Sequence, residues 1–294
     1  MRQLQKEEID SIIENYVGKK KSINVLRKQF KLQFKDIKNI LIEHNVMPRT
    51  HRDSRKKYEY NEDYFSTINT PEKAYWLGFI YADGFITKKT NGNPVFGLTL
   101  AEKEPLIKLN RCLNSNKPIG EYKKRGYKKD GYEYKLAFCS EKLVSDLEKW
   151  GCVENKTFKL KFPSFLDENL RSHFIRGFFD GDGSVFLHII KHNNNEYISL
   201  GVTICGIKNF LYDLSKYINT ETCIYKDKRK ITDCYSIKLL SNIRCLHFYH
   251  YIYKNAGDMY LTRKRDKFEN FIKDRGSTTI ISNPTYKKLC YIED

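Results

Sequence analysis

The sequence predicts an α+β fold made of two similar halves, preceded by a small all-α unit. The main observation is a nine-residue pattern that occurs twice, at residues 76–84 and 175–183, ninety-nine residues apart. The same succession of helix and strand patterns follows each copy, and a repeat at a fixed spacing indicates a duplicated architecture. Residues 4–46, by contrast, show only the apolar spacing that is typical of helices.

Three short helices are predicted in the first unit, residues 1–48. Apolar residues recur at helical spacing over residues 7–16 and 34–44, and Ser22 is a suitable N-cap for a helix that ends at Phe30. The segment resembles the DNA-binding helix-turn-helix of resolvases and transposases. The resemblance implies that the last helix recognises DNA through Gln33, Lys35 and Lys38. A plain three-helix cap or a dimerisation unit is the alternative.

A basic linker is expected at residues 49–70, followed by a first half at 71–160 and a second half at 161–294. Each half is predicted to run α-β-β-α-β-β-α. After the first motif helix, the predicted elements are at residues 85–88, 95–100, 104–114, 120–124, 132–139 and 141–150. After the second, they are at residues 184–190, 197–205, 208–218, 223–226, 234–239, 242–254 and 264–273.

Each copy of the repeated pattern is a mostly apolar helical run with a glycine in its middle, Gly78 or Gly177, and an Asp-Gly pair at its end. A glycine inside a helix costs about 1 kcal/mol relative to alanine, and close contact between two helices would explain it. The final aspartates, Asp83 and Asp182, stand where a helix already carries a partial negative charge, which favours a bound cation. The glycine after each aspartate is expected in the left-handed C-cap conformation.

These two patterns resemble the motifs of the LAGLIDADG homing endonucleases, in the monomeric branch that carries two motifs per chain. The resemblance covers about three quarters of the chain. It implies a DNA-binding saddle of antiparallel strands, with the motif helices packed together and with metal held by Asp83 and Asp182 at the two scissile phosphates. The sixth motif position, an acid in the namesake motif, is Tyr81 in the first copy and Asp180 in the second. No metal role is carried onto Tyr81, and the role of Asp180 stays open.

Hydrolysis of phosphodiesters by such a site predicts Mg²⁺ or Mn²⁺ as the cofactor, because hard cations prefer oxygen ligands. The backbone carbonyls of Ala82 and Gly181 are further predicted ligands. Lys156 lies in a stretch that resembles a lysine-bearing segment found before the second motif in relatives, and Lys264 is its counterpart after the second half. Both are predicted catalytic residues, with a plain phosphate contact or a solvated lysine as the alternative.

The formal net charge of +17 favours a polyanionic partner. Double-stranded DNA with a long asymmetric site is the expected partner, and the chain's own intron RNA is a second. A membrane surface would satisfy the charge, but basic clusters at residues 123–129 and 226–230 occupy corresponding segments after the two motifs, which favours nucleic acid. No apolar run approaches the roughly 20 residues of a membrane helix. The predicted DNA contacts in the hairpins are Tyr122, Lys123, Arg125, Lys191, Asn193, Lys226 and Lys238.

The eight cysteines include no C-x-x-C pair, which disfavours a zinc site and a disulfide framework. The start of the chain lacks the apolar segment of a signal peptide. An intracellular, non-secreted location is therefore expected, in the cytoplasm of a bacterium or phage-infected cell or in an organelle.

The leading hypothesis is a site-specific, Mg²⁺-dependent double-strand DNA endonuclease that acts as a monomer in intron homing, as part of a mobile element. The alternative is a group I intron RNA maturase or a DNA-binding regulator with the same fold. A recombinase or transposase is a third hypothesis, which would need a serine or tyrosine nucleophile or a triad of acids. The 21 tyrosines of the chain do not exclude it.

Overall fold

The computed structural model describes residues 4–49, 57–88, 92–124, 131–156, 159–192, 195–218, 220–227 and 233–276. The chain divides into two compact units, Met1–Glu59 and Tyr60–Asp294. The division falls inside the segment that the sequence suggests as a linker. Phe65, near the end of that segment, is fully buried in the core of the second unit.

The first unit consists of helices, which confirms its predicted all-α character. Its helices are α1 (Lys6–Val17), α2 (Ile23–Phe30) and α3 (Phe34–Glu43). Ser22 caps α2 as predicted, since its side chain accepts a hydrogen bond from the Val25 N–H over 3.3 Å. Lys31 adopts the left-handed conformation at the end of α2, with φ of 54°, and so turns the chain into α3. A separate small core, which includes Ile12, Leu26 and Ile37, holds the three helices together.

The second unit contains the two predicted halves in the predicted order. The first half comprises α4 (Pro71–Asp83), β1 (Gly84–Thr87), β2 (Val95–Leu100), α5 (Glu104–Cys112), β3 (Gly120–Lys123), β4 (Tyr132–Cys139) and α6 (Glu141–Lys149). The second half comprises α7 (Glu168–Asp182), β5 (Gly183–His192), β6 (Asn195–Gly206), α8 (Lys208–Ser215), β7 (Ile224–Lys226), β8 (Tyr235–Leu239), α9 (Asn242–Tyr253) and α10 (Thr262–Gly276).

Each half forms one four-stranded antiparallel sheet, with strand order β1-β2-β4-β3 in the first and β5-β6-β8-β7 in the second. Buried residues alternate along the central strands and pair across them, as in Phe96 opposite Phe138 and Val202 opposite Leu239. One face of each sheet therefore packs on the helices, and the other face points away from them.

The motif helices α4 and α7 pack on each other at the centre of the unit, and the glycines make this contact. A Cβ atom on Gly78 would lie 2.0 Å from the carbonyl oxygen of Phe174, and one on Gly177 would lie 1.9 Å from that of Tyr75. Neither position has room for a side chain. The close approach of the two backbones brings the C-terminal ends of both helices to one place.

No helix within the described part of the chain is long and apolar enough to cross a membrane. The seven cysteines that the structure describes are all free thiols, of which Cys152 and Cys245 are buried.

Candidate active site

An aspartate ends each of the two central helices. Asp83 is the last residue of α4 and Asp182 the last residue of α7, and a strand begins at the next residue in both cases. Both aspartates are exposed to solvent. The duplicated motif therefore places two carboxylates at equivalent positions, each at the negative end of a helix dipole.

The glycines that follow the aspartates are extended rather than left-handed, so the predicted C-cap conformation is wrong. Gly84 has φ of −69° and Gly183 has φ of −97°. The chain enters a strand directly at these residues, and a left-handed residue would turn it away. The need for glycine is steric: a Cβ atom on Gly84 would lie 2.6 Å from the carbonyl oxygen of Ile80.

The ends of the two helices meet at Gly181. A Cβ atom on Gly181 would lie 2.2 Å from the Cβ of Ala82 and 3.2 Å from Oδ2 of Asp83. The residue that precedes Asp182 thus lies so close to the carboxylate of Asp83 on the other helix that a side chain there would touch it. The missing side chain at this position lets the two acidic helix ends come together.

Three cations surround the carboxylate of Asp83. Asp83 is exposed as a residue, but its carboxyl group lies close to the end of α7, so desolvation raises its pKa, and Lys156, Lys264 and Arg263 oppose the rise. The charged form of this carboxylate is therefore less well solvated than in water. A further cation bound at its oxygens would stabilise that charged form.

Lys156 contacts the end of α4. Its Nζ atom donates a hydrogen bond of 2.7 Å to the carbonyl oxygen of Ala82. Partial burial lowers the pKa of Lys156, whereas Cys152, Asp182 and Asp83 act in the opposite direction. The ammonium group therefore lies in the field of both motif aspartates.

Lys264 makes more contacts at the end of α7. Its Nζ atom donates to the carbonyl oxygens of Phe179 over 2.6 Å, Asp180 over 2.7 Å and Gly183 over 2.6 Å. All three ammonium protons are used in these bonds. Lys264 is consequently a cap that satisfies the last carbonyls of α7 and places a positive charge at its negative end. Burial lowers its pKa to about 8.

A buried charge network lies behind the helix ends, and sequence reasoning left it without a role. Oδ2 of Asp180 accepts hydrogen bonds of 2.9 Å from the Tyr75 hydroxyl and from the Leu261 N–H. Oδ1 of Asp180 is buried and has no hydrogen-bond partner among the described residues. Burial raises the pKa of Asp180 to about 6.

Arg176 is the cationic member of this network and is fully buried, one turn before Asp180 on α7. Its guanidinium donates to the carbonyl oxygens of Met259 over 2.7 Å and Ile252 over 2.6 Å, and to Nδ1 of His173 over 2.9 Å. The sequence signal for the network is the presence of Arg176 and Asp180 within the apolar run of the second motif.

A pocket of about 190 Å³ opens beside Asp83. Asp83, Asp180, Glu102 and Arg263 line its polar side, and Arg263 forms an ion pair with Glu102. The pocket therefore extends from Asp83, at the exposed end of α4, to the buried Asp180.

The donor set at the helix ends fits a hard cation that keeps most of its water. No group of three or more His, Cys, Asp or Glu side chains that could hold a metal occurs within the described residues. Mg²⁺ is commonly bound by one or two carboxylates together with water and substrate phosphates, so Asp83 and Asp182 meet that requirement. The carbonyl of Ala82 already accepts a hydrogen bond from Lys156, which leaves it one lone pair.

The strand register divides the predicted DNA contacts between the two faces of the sheets. Tyr122 pairs with Glu133, which lies on the opposite face of β4 from buried Leu136 and Phe138. Lys238 pairs with Thr203 and lies between buried Ile237 and Leu239 in β8. Tyr122 and Lys238 therefore lie on the open faces, which point away from the helices. Lys135, which sequence reasoning missed, shares the open face with Tyr122, and its Nζ atom lies 5.0 Å from the centre of the Phe85 ring.

The other lysines lie on the helix-packed side, at exposed positions towards the ends of the strands. Lys123 pairs with Tyr132, in register with buried Leu136 and Phe138. Lys191 forms an ion pair of 2.8 Å with Glu196, and Lys226 forms one of 3.0 Å with Asp233. Arg125 and Asn193 lie outside the described residues.

In the first unit, the three residues predicted to contact DNA lie at or near the start of α3. Gln33 is the N-cap of α3, and its backbone N–H donates to the Asp36 carboxylate over 3.2 Å. Lys35 and Lys38 are exposed.

No family model matches the chain, and no curated protein matches it. Among solved structures it is similar to the meganuclease I-SmaMI bound to uncleavable DNA, with 16% identity and a TM-score of 0.47 over 68% of this chain and 88% of that one. It is similar to the LAGLIDADG homing endonuclease I-LtrWI bound to target DNA, with 15% identity and a TM-score of 0.47 over 72% of this chain and 89% of that one. It is also similar to the LAGLIDADG meganuclease I-AabMI bound to uncleaved DNA, with 12% identity and a TM-score of 0.46 over 75% of this chain and 98% of that one.

Proposed function

We propose that this chain is a homing endonuclease of the LAGLIDADG type, which cuts both strands of duplex DNA at one specific site. The observation that carries the proposal is the meeting of Asp83 with Gly181, which brings the acidic ends of two duplicated helices together. The proposal also draws on the net charge of +17 and on open sheet faces that carry lysine and tyrosine.

Asp83 and Asp182 are the residues that would hold the metal, with Mg²⁺ or Mn²⁺ as the proposed cofactor. Carbonyl oxygens of Ala82 and Gly181 are proposed as additional ligands. When bound, a divalent cation would lower the pKa of an attacking water and stabilise charge on the scissile phosphate.

The two lysines have different proposed roles. Lys156 makes one hydrogen bond among the described residues, so two of its protons are available for a phosphate oxygen or a water molecule. Lys264 would act by its fixed positive charge, since its three protons are held by carbonyl oxygens. Both would stabilise the negative charge that develops on the phosphate oxygens.

The open faces of the two sheets are the proposed contact surface for the duplex. Side chains of Tyr122, Lys135 and Lys238 would lie along it, and the first unit would add contacts through Gln33, Lys35 and Lys38 as a helix-turn-helix. A single chain carries both motifs, so one copy would suffice to cut both strands.

The test is cleavage of a supercoiled plasmid that carries an uninterrupted copy of the locus flanking the gene. The full chain should linearise the plasmid with Mg²⁺ and leave it intact with EDTA. Asp83→Asn and Asp182→Asn should each abolish linearisation while binding is kept, and Asp213→Asn, at a surface ion pair with Lys216, should cut normally.

Undiminished cutting by either motif variant would overturn the proposed site. Intact plasmid that the wild-type chain nevertheless protects in a footprint would instead support a DNA-binding regulator. Protection of the chain's own intron RNA without DNA cleavage would support the maturase, and a covalent protein–DNA adduct would support a recombinase.

A further inference from the structure

The sixth motif position carries different residues in the two halves, yet both side chains bind the chain segment that leads to a lysine. Tyr81 and Asp180 occupy equivalent places in the repeat and are both buried, with 2% and 1% of their surface exposed. Neither side chain is free for DNA or solvent. The roles of Tyr81 and Asp180 therefore have to follow from their contacts inside the protein.

In the first half, the Tyr81 hydroxyl donates a hydrogen bond to the carbonyl oxygen of Trp150, just after α6. The neighbouring Gly151 has φ of 93°, and a Cβ atom there would lie 2.3 Å from the Tyr81 oxygen. The Tyr81 side chain therefore packs closely against the turn between α6 and Lys156. Lys156 then returns to the end of α4 and donates to the carbonyl of Ala82, next to Tyr81 in sequence.

In the second half, Asp180 accepts the N–H of Leu261, the residue directly before α10. Arg176 holds the same connection through the carbonyl oxygens of Met259 and Ile252. Lys264, in the first turn of α10, then returns to the end of α7 and donates to three carbonyls, one of which is that of Asp180.

In each half, the motif helix thus makes a hydrogen bond to the segment that carries the lysine, and the lysine makes a hydrogen bond back to the end of the same helix. The two halves hold the lysine segment with hydrogen bonds of opposite direction. A phenol donates to a backbone carbonyl in the first half, and a carboxylate accepts a backbone N–H in the second. In both halves, therefore, the side chain at this position makes a hydrogen bond to the backbone of the segment beside the lysine.

We infer that Tyr81 and Asp180 are positioning residues, each of which fixes the active-site lysine of its own half, Lys156 or Lys264, against the end of the motif helix. The inference rests on the proposed nuclease function. Its specific consequence is that each residue acts on the cleavage of one strand only and acts only through its lysine.

The first test compares the rates of cutting of the two strands in end-labelled target DNA under single-turnover conditions. Lys156→Met identifies the strand that depends on the first half. Tyr81→Phe, which removes one oxygen atom, should slow that same strand about ten- to hundredfold, since small displacements of a catalytic group have effects of this size. The double variant should be no slower than Lys156→Met alone, and Tyr253→Phe is the matched control, because its buried hydroxyl has no partner among the described residues.

The second test separates positioning from metal binding at Asp180. Asparagine keeps an oxygen that can accept from Leu261 and Tyr75, whereas leucine keeps none. Asp180→Asn should therefore keep the cutting rate and its dependence on Mg²⁺ concentration. Asp180→Leu should slow the strand that Lys264→Met slows.

Three outcomes would overturn the inference while the proposed function stands: equal slowing of both strands by Tyr81→Phe, further slowing when Tyr81→Phe is added to Lys156→Met, or a higher Mg²⁺ concentration needed for cutting by Asp180→Asn. Should Asp180→Leu fail to fold, Tyr81→Phe and Asp180→Asn still decide the question. Absence of any Mg²⁺-dependent cutting by the wild-type chain would instead refute the proposed function.

Discussion

The backbone of Gly78 approaches Phe174 so closely that a Cβ atom on the glycine would lie 2.0 Å from the phenylalanine carbonyl oxygen. The reciprocal contact, between Gly177 and Tyr75, has the same geometry at 1.9 Å. A side chain at either glycine would therefore push the two helices apart and disturb the packing at the other glycine. Because the motif aspartates stand at the ends of these helices, the separation of the acids depends on both glycines.

Gly78→Ala and Gly177→Ala should each lower the free energy of unfolding. The added methyl group meets backbone rather than a flexible side chain, and overpacking of this kind costs about 1–3 kcal/mol or more. Urea unfolding followed by circular dichroism would measure the loss. Gly206→Ala is the matched control, since its Cβ would come no closer than 3.2 Å to the side chain of Leu211. Equal stability of all three variants would contradict the packing role.

Lys264→Met should be more destabilising than Lys156→Met. Removal of Lys264 takes the ammonium donor from three carbonyls at the end of a buried helix. The carbonyl of Phe179 keeps the N–H of Gly183, and each carbonyl that is left unsatisfied costs about 1–3 kcal/mol. Lys156 donates to one carbonyl at a partly exposed position, and its loss should cost about 1 kcal/mol. The comparison requires only urea titrations. A larger loss for Lys156→Met would show that Lys264 is not the cap described here.

Lys135→Ala and Lys238→Ala should weaken binding to target DNA more than Lys191→Ala and Lys226→Ala. The first two lysines lie on the open sheet faces, whereas Lys191 and Lys226 already pair with carboxylates. Loss of one phosphate contact lowers the slope of log affinity against log salt by about 0.9. Fluorescence anisotropy over a range of salt concentrations would measure both quantities, and equal effects of all four variants would contradict the assignment of faces.

The order of elements could be predicted because local patterns encode it. Strand alternation and helical spacing are properties of adjacent residues, so the α-β-β-α-β-β-α order follows from the sequence alone. The helix C-caps were predicted wrongly for the same local reason. An Asp-Gly pair at a helix end usually indicates a left-handed turn, whereas Gly84 and Gly183 lead straight into strands.

The site could be predicted only in part, because its remaining features depend on contacts between distant residues. The repeat predicts that two acids share a site, but it cannot show that Lys264 uses all its protons on carbonyls. Tyr122 and Lys123 are neighbours in one strand and so lie on opposite faces, but only the register with β4 shows which of the two faces packs on the helices. The role of Asp180 depends on Leu261, a partner far along the chain.

The pH dependence of stability should depend on His173. Burial, with the nearby charge of Arg176, lowers its pKa from 6.5 to about 4. Its Nδ1 atom accepts a hydrogen bond from the Arg176 guanidinium, so the folded state keeps the imidazole neutral. Between about pH 6.5 and pH 4 the unfolded chain binds a proton at this residue that the folded chain does not. The stability gained from the neutral imidazole is therefore complete above pH 6.5 and is lost as the pH falls towards 4, with a slope of at most about 1.4 kcal/mol per pH unit.

His173→Gln should reduce this slope, because glutamine can accept the arginine hydrogen bond and does not titrate. Urea unfolding at pH 7, 6 and 5 would compare the variant with the wild-type chain, and His247→Gln, outside the network, should leave the slope as it is. Carboxylates contribute to the pH dependence of both proteins alike, so the difference between the two slopes isolates the histidine. An unchanged slope in His173→Gln would mean that His173 binds protons equally in the folded and unfolded chains, and the contact with Arg176 could then not exist as described.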